Sequence, residues 1–160
     1  MRESVEKLIE KYKNNLFVVA FNVCKNIQDA EDVVQDTFIQ YISLKKDFKT
    51  EENIKYWLIR VAINKAKNKN KTFFKRSTLP LQDYIETLTF ESKESLEIFE
   101  TVMKLPDKFR IVIHLFYYED YSIKEISEIL KISEGNVKVR LSRGRSFLKN
   151  TLKELWEDEQ

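Results

Sequence analysis

The stretch "SIKEISEILKISEGNVKVRLSRGRSFLK", Ser122 to Lys149, decides how the second half of this chain folds. Ser122 is followed three residues later by Glu125, the reciprocal arrangement that closes a helix N-terminus. Ile123, Ile126 and Leu130 then share one helical face, and small Ser127 suits a close crossing of two helices. "KIS" is long enough only for a turn, and Ser133 is placed to cap a second helix. In that helix Val137 and Leu141 turn inward, with Phe147, Leu148 and Leu152 extending the apolar side. Two capped helices around a three-residue turn have the spacing of a helix-turn-helix. With Val137 and Leu141 inside, helical geometry sends Lys138, Val139, Ser142 and Arg143 outward, and Arg140 and Arg145 flank them. Arginine and lysine suit guanine edges and phosphates, and in this motif the second helix enters the DNA major groove. The competing reading is a helical hairpin with a basic solvated face. The turn, the caps and the outward cluster together favour DNA binding.

Working outward, the remaining residues are equally poor in strand signals. Glycine and proline number two each among 160 residues, and alternating β-branched patterns are absent, which predicts an all-α protein. The length fits one large domain or two small ones. The net charge of +2 conceals strong segregation. Arg60–Arg76 holds seven bases and no acid, Asp29–Asp36 four acids and no base, Asp83–Glu100 six acids and one lysine, and Lys131–Lys153 seven bases and one acid. Blocks of this kind create local fields for charged partners. The lone Cys24 excludes a disulfide framework, and His114, in the run "FRIVIHLFYY", lacks the partners of a metal or catalytic site, so a packed or surface role is expected. No run approaches a membrane span, the N-terminus lacks a signal-peptide core, and a cytoplasmic protein without cofactor or metal is expected.

Val5, Leu8, Ile9, Tyr12, Leu16, Val19 and Ala20 predict a helix over residues 3–26. In "IQDAEDVVQDTFIQYISL", Asp29 is placed as an N-cap, and Ala30, Val33, Val34, Thr37, Phe38, Tyr41 and Ile42 form the inner stripe. "KKDFKTEEN" reads as a polar connection. Ile54, Trp57, Leu58, Val61 and Ala62 mark a third helix. Residues 71–92 read as a flexible linker between domains 1–70 and 93–160. Beyond it, Leu96, Phe99, Val102 and Met103 predict a helix ending before "LPDK", and Pro106 with Asp107 opens another.

Two further constellations stand out. In "YWLIRVAINKAKNKNKTFFKR", Tyr56–Arg76, bases interleave with Tyr56, Trp57, Phe73 and Phe74. That mixture suits single-stranded nucleic acid, where charge follows the backbone and rings stack on bases, and the amides of Asn64 and Asn68 suit base edges. The rival is a solvated lysine face over a core Trp57, and core is favoured for that tryptophan. The second is the acidic edge of Glu31, Asp32, Gln35 and Asp36. It has no partner set for catalysis. Docking of a basic partner and an ordinary exposed face remain open from spacing alone.

Taken in order, these parts resemble the sigma factors of bacterial RNA polymerase. "DAEDVVQDTFIQYI" and "YWLIRVAINKAKN" resemble region 2, and "LPDKFRIVIHLFYYEDYSIKEISEILKISEGNVKVRLSRGRSFLK" resembles region 4. Two such domains and one linker resemble the extracytoplasmic-function (ECF) group of the sigma-70 family. The resemblance implies binding to core RNA polymerase through the β′ clamp helices and the β flap, promoter DNA as the second partner, and no small-molecule substrate. It implies a docking role for Asp32, Gln35 and Asp36, −10 contacts by Asn64, Lys67 and Asn68, and −35 contacts by Lys138, Val139, Arg140, Ser142, Arg143 and Arg145. Members of this group are often held inactive by an anti-sigma factor, commonly at the membrane. The alternative is a stand-alone helix-turn-helix regulator whose first domain dimerises or senses a signal.

Several positions depart from the family pattern. Asn68 stands where many relatives have Asp, and Lys71 where they have Arg. Lys131 stands where the turn usually has Gly, which costs about 1 kcal/mol if the backbone there is left-handed. Val139 falls in the sequence Asn136-Val137-Lys138-Val139-Arg140, where a methyl contact to thymine replaces a hydrogen bond. Gly144 replaces an alanine and weakens its helix slightly.

Overall fold

The computed structural model describes residues 2–70 and 92–158, and all regular structure among them is helical. The segment expected as a linker, with Phe73 and Phe74, lies outside the described residues except for Ser92. Among the described residues, seven α-helices and one π-turn divide between two compact units.

The first unit is built from α1 (Val5–Cys24), α2 (Ile27–Ser43) and α3 (Glu51–Asn70), each packed on the other two. Ser4 caps α1, and Lys25 ends it with left-handed backbone, φ 51°. The next residue, Asn26, caps α2 by accepting from the Asp29 amide at 2.9 Å. The cap is therefore Asn26, and Asp29 lies in the first turn. Leu8, Leu16, Val19 and Ala20 of α1, Ala30 and Val33 of α2, and Ile54, Leu58, Ile59, Ala62, Ile63 and Ala66 of α3 are fully buried. Each large aliphatic side chain so buried contributes about 1.5–3 kcal/mol. Thr37 is also buried, its hydroxyl satisfied by the Val33 carbonyl at 2.7 Å.

Two expectations fail at the edge of this core. Ile42 is 59% exposed, because it lies at the margin of the helical face centred on Ala30, Val33, Thr37 and Tyr41. Phe48, in the supposedly polar connection, is buried. Its ring lies 6.3 Å from Tyr41 and 6.2 Å from Trp57, closing the bundle with an aromatic triad.

The second unit comprises α4 (Lys93–Met103), α5 (Asp107–Ile113), a π-turn (His114–Tyr118), α6 (Ile123–Leu130) and α7 (Glu134–Asp158). Ser92 caps α4 through the Ser95 amide, and Pro106 stands at the N-cap of α5, one position before the helix proper. Arg110 is wholly buried behind that helix start. Its guanidinium donates to the Leu105 carbonyl at 3.0 Å and to Asp107 at 2.9 Å. Burial lowers its pKa and Asp107 opposes the shift, so a buried cation is held by hydrogen bonds. His114 is packed too, stacked on Tyr118 with ring centroids 5.2 Å apart. The π-turn shows as the Glu119 amide reaching the His114 carbonyl, five residues back, at 3.2 Å.

The helix-turn-helix closes as expected. Ser122 and Glu125 exchange both capping hydrogen bonds, at 3.0 and 3.1 Å, and Ser133 accepts from the Asn136 amide at 3.1 Å. Val137 and Leu141 are buried. Phe147, expected on the inner side, is 40% exposed, because α7 turns Gly144 and Leu148 toward α5 in its place. Lys131 ends α6 in left-handed backbone, φ 59° and ψ 44°. Lys131→Gly should therefore stabilise this unit by about 0.5–1 kcal/mol, after the greater freedom of glycine in the unfolded chain is subtracted. A urea midpoint raised at unchanged slope would report it, and a lowered midpoint would contradict it.

Candidate nucleic-acid interface

The C-terminal unit presents its basic helix outward. Val137 and Leu141 anchor α7, and Lys138, Val139, Ser142 and Arg143 are all exposed, Val139 by 47%. They form the contiguous face an α-helix offers to a groove. The two flanking arginines behave differently. Arg140 is half-buried and donates through Nε to Asn136 Oδ1 at 3.1 Å, so it lies back along its own helix. Arg145 donates through Nε to the Tyr117 hydroxyl, and its guanidinium lies 5.4 Å from the Phe116 ring centroid and 5.6 Å from that of Tyr117. Sequence reasoning missed Asn136, which is exposed in the first turn of α7 beside Arg140. Its position three residues after the Ser133 cap, in the first turn of the helix, is the signal that would have found it.

In the N-terminal unit, Asn64, Lys67 and Asn68 lie on one face of α3 at helical spacing. Asn68 is exposed, and Asn64 and Lys67 are half-buried. The nearby rings are engaged elsewhere: Trp57 is edge-on to Tyr41 at 6.1 Å, and Arg60 covers Tyr56 at 5.5 Å. Trp57 thus belongs to the aromatic cluster of the bundle, the reading favoured for it from sequence, while Tyr56 lies beside Arg60 and stays half-buried. On α2, Glu31, Gln35 and Asp36 are exposed, and the same face continues into Ile39, itself 59% exposed. Asp32 is half-buried, and its Oδ2 lies 3.7 Å from Lys69 Nζ at the end of α3. The acidic edge and the basic helix end thus meet where Asp32 pairs with Lys69. Cys24 is buried nearby, and burial pushes its thiol pKa up. Among the described residues no cluster of His, Cys, Asp or Glu fits a metal, and no helix is long and apolar enough to cross a membrane.

These features define a two-unit helical protein with an outward-facing basic helix in one unit and adjoining acidic and basic surfaces in the other. Residues 8–72 match the description Sigma-70 region 2, and residues 95–148 match Sigma-70, region 4. The chain is 30% identical to the ECF RNA polymerase sigma factor SigW of Bacillus subtilis, covering 96% of this chain and 91% of that protein. It is also 30% identical to the ECF sigma factor SigM of Bacillus subtilis, over 91% of this chain and 93% of that one. Among solved structures, the sigma factor RpoE of Bartonella quintana, in complex with the anti-sigma factor NepR, superposes with a TM-score of 0.67. That match has 20% identity and covers 92% of this chain and 96% of the other. CnrH in complex with the cytosolic domain of CnrY gives a TM-score of 0.64 at 25% identity, over 94% and 88% of the two chains. The chain belongs to the sigma-70 family, in its ECF group. It binds core RNA polymerase and directs promoter-specific initiation through −10 and −35 elements. The stand-alone regulator finds no support in these comparisons.

Proposed function

We propose how this sigma factor divides that work among its residues. Residues 1–70 form the region 2 domain, 71–92 the linker and 93–160 the region 4 domain. Lys138, Val139, Ser142 and Arg143 read the −35 element, with Arg140 and Arg145 in supporting contacts. Asn64, Lys67 and Asn68 meet the −10 strand. Asp32, Gln35 and Asp36 dock on the polymerase clamp. The docking assignment is supported by the continuation of the acidic edge into exposed Ile39, since protein interfaces centre on apolar contacts inside a polar rim. The chain works in the cytoplasm, carries no catalytic chemistry of its own, and is a candidate for control by an anti-sigma factor like those bound to RpoE and CnrH.

The observation that carries the −35 assignment is the exposed quartet around the buried Val137/Leu141 pair. The test begins by mapping promoters through transcription of a genomic library with core polymerase and this protein. Arg143→Ala should then lose roughly 5–150-fold in promoter-specific initiation, the equivalent of about 1–3 kcal/mol for one base contact. Core polymerase binding should survive. Unchanged promoter use would remove Arg143 from the reading face.

A further inference from the structure

The π-turn before the helix-turn-helix has no role in the assignments above, yet π-turns inside helices concentrate at functional sites. Here the turn spans His114–Tyr118 and carries Phe116 and Tyr117 to the side of α7. Tyr117 is half-exposed, and its hydroxyl accepts from Arg145 Nε. Phe116 meets Tyr117 edge-on, with centroids 4.9 Å apart, and both rings lie against the Arg145 guanidinium. Both rings belong to the turn itself, so its wider winding sets the direction in which they leave the helix.

A guanidinium has five N–H donors in a fixed fork. With Nε taken by Tyr117, the two terminal nitrogens point onward as a pair, which matches two oxygens of one phosphate. Arg145 lies two turns beyond Lys138 on the same side of α7, off the centre of the outward quartet. A cation at that flank meets the DNA backbone rather than base edges. We propose that Tyr117 is a positioning residue that holds Arg145 as a preorganised clamp for a DNA phosphate, with Phe116 as the ring that fixes its plane. This rests on the reading of α7 as a groove-entering helix. Holding the fork in place removes side-chain entropy that an unsupported arginine would lose on binding.

The experiment measures binding of the full-length protein to a fluorescent 20-base-pair duplex of arbitrary sequence, across a salt series. Phosphate contacts dominate such binding. Arg145→Ala should weaken it and reduce the salt slope by about 0.9. Tyr117→Phe removes one hydroxyl and keeps the ring. It should weaken binding about threefold to tenfold, the order of the net contribution of one hydrogen bond, with an unchanged melting transition. The double variant should bind no worse than Arg145→Ala alone, and Arg145→Lys should not restore wild-type affinity, since an ammonium has no fork. Additive losses in the double variant, or Tyr117→Phe binding like wild type while Arg145→Ala is weakened, would overturn the positioning role alone. Wild-type affinity that ignores salt would overturn it together with the DNA-facing reading of α7.

Discussion

Gly144→Val is expected to lower the stability of the second unit by about 3 kcal/mol, the upper range for forcing extra carbons into a packed interior. Gly144 is buried where α7 crosses α5. A Cβ there would lie 3.0 Å from Ile113 Cγ1, 3.1 Å from Ile113 Cδ1 and 3.6 Å from Phe109 Cβ. Valine adds two further carbons and a stiff χ1 in the middle of a helix. Alanine is a different case. It gains about 1 kcal/mol of helix propensity over glycine, and Ile113 borders a groove of about 330 Å³ shared with Ile98, Val102 and Leu148, into which its side chain can yield. Gly144→Ala should therefore stay within about 1 kcal/mol of wild type, because the propensity gain and the contact cost are of similar size. Amide hydrogen exchange in α5–α7 separates the two: valine should strip protection across all three helices, and alanine should leave it in place. Equal protection in the two variants would contradict the close crossing. This refines the simpler expectation from sequence, in which Gly144 only weakened its own helix.

What could be read from the sequence divides along a physical line. Helices were legible where caps and apolar periodicity agree, as at Ser122/Glu125, Ser133 and the Val137/Leu141 pair, because both signals are local. The margins of a buried stripe were less so. Ile42 and Phe147 fit the inner period, but burial there depends on whether another helix is present to cover them, which periodicity does not encode. Asn26 and Asp29 are both good caps three residues apart, and only the backbone distinguishes them. The π-turn leaves no mark in composition, since it changes the hydrogen-bond partner and not the residue type. Contacts remote in sequence, such as Phe48 with Trp57 and Tyr117 with Arg145, were hidden for the same reason. The outward set Lys138, Val139, Ser142 and Arg143 was readable because a face is fixed once its opposite is anchored.

The ion pair between Asp32 and Lys69 bears on how the docking edge should be tested. Asp32 has an internal partner at the end of α3, so charge reversal there would also disturb the basic segment assigned to −10 DNA. Asp36 is exposed one turn further along α2, beside Ile39. Asp36→Lys is the cleaner perturbation. If a basic surface of the polymerase meets this edge, the substitution replaces an attractive pair with a repulsive one, and such like-charge contacts cost several kcal/mol. Affinity for core polymerase should fall about 100-fold, equivalent to about 2.7 kcal/mol, with the loss shrinking as salt rises. The helix itself should tolerate the change, since lysine is a better helix former than aspartate. Binding to the arbitrary duplex should not fall, because the substitution adds positive charge and leaves α7 untouched. Core affinity unchanged at low salt would remove Asp36 from the docking surface. A loss of similar size in duplex binding would instead point to a global defect. Ile39→Ser on the same face should weaken core binding without the salt dependence, because an apolar contact gains nothing from screening. The two variants together separate the charged part of the interface from its apolar part.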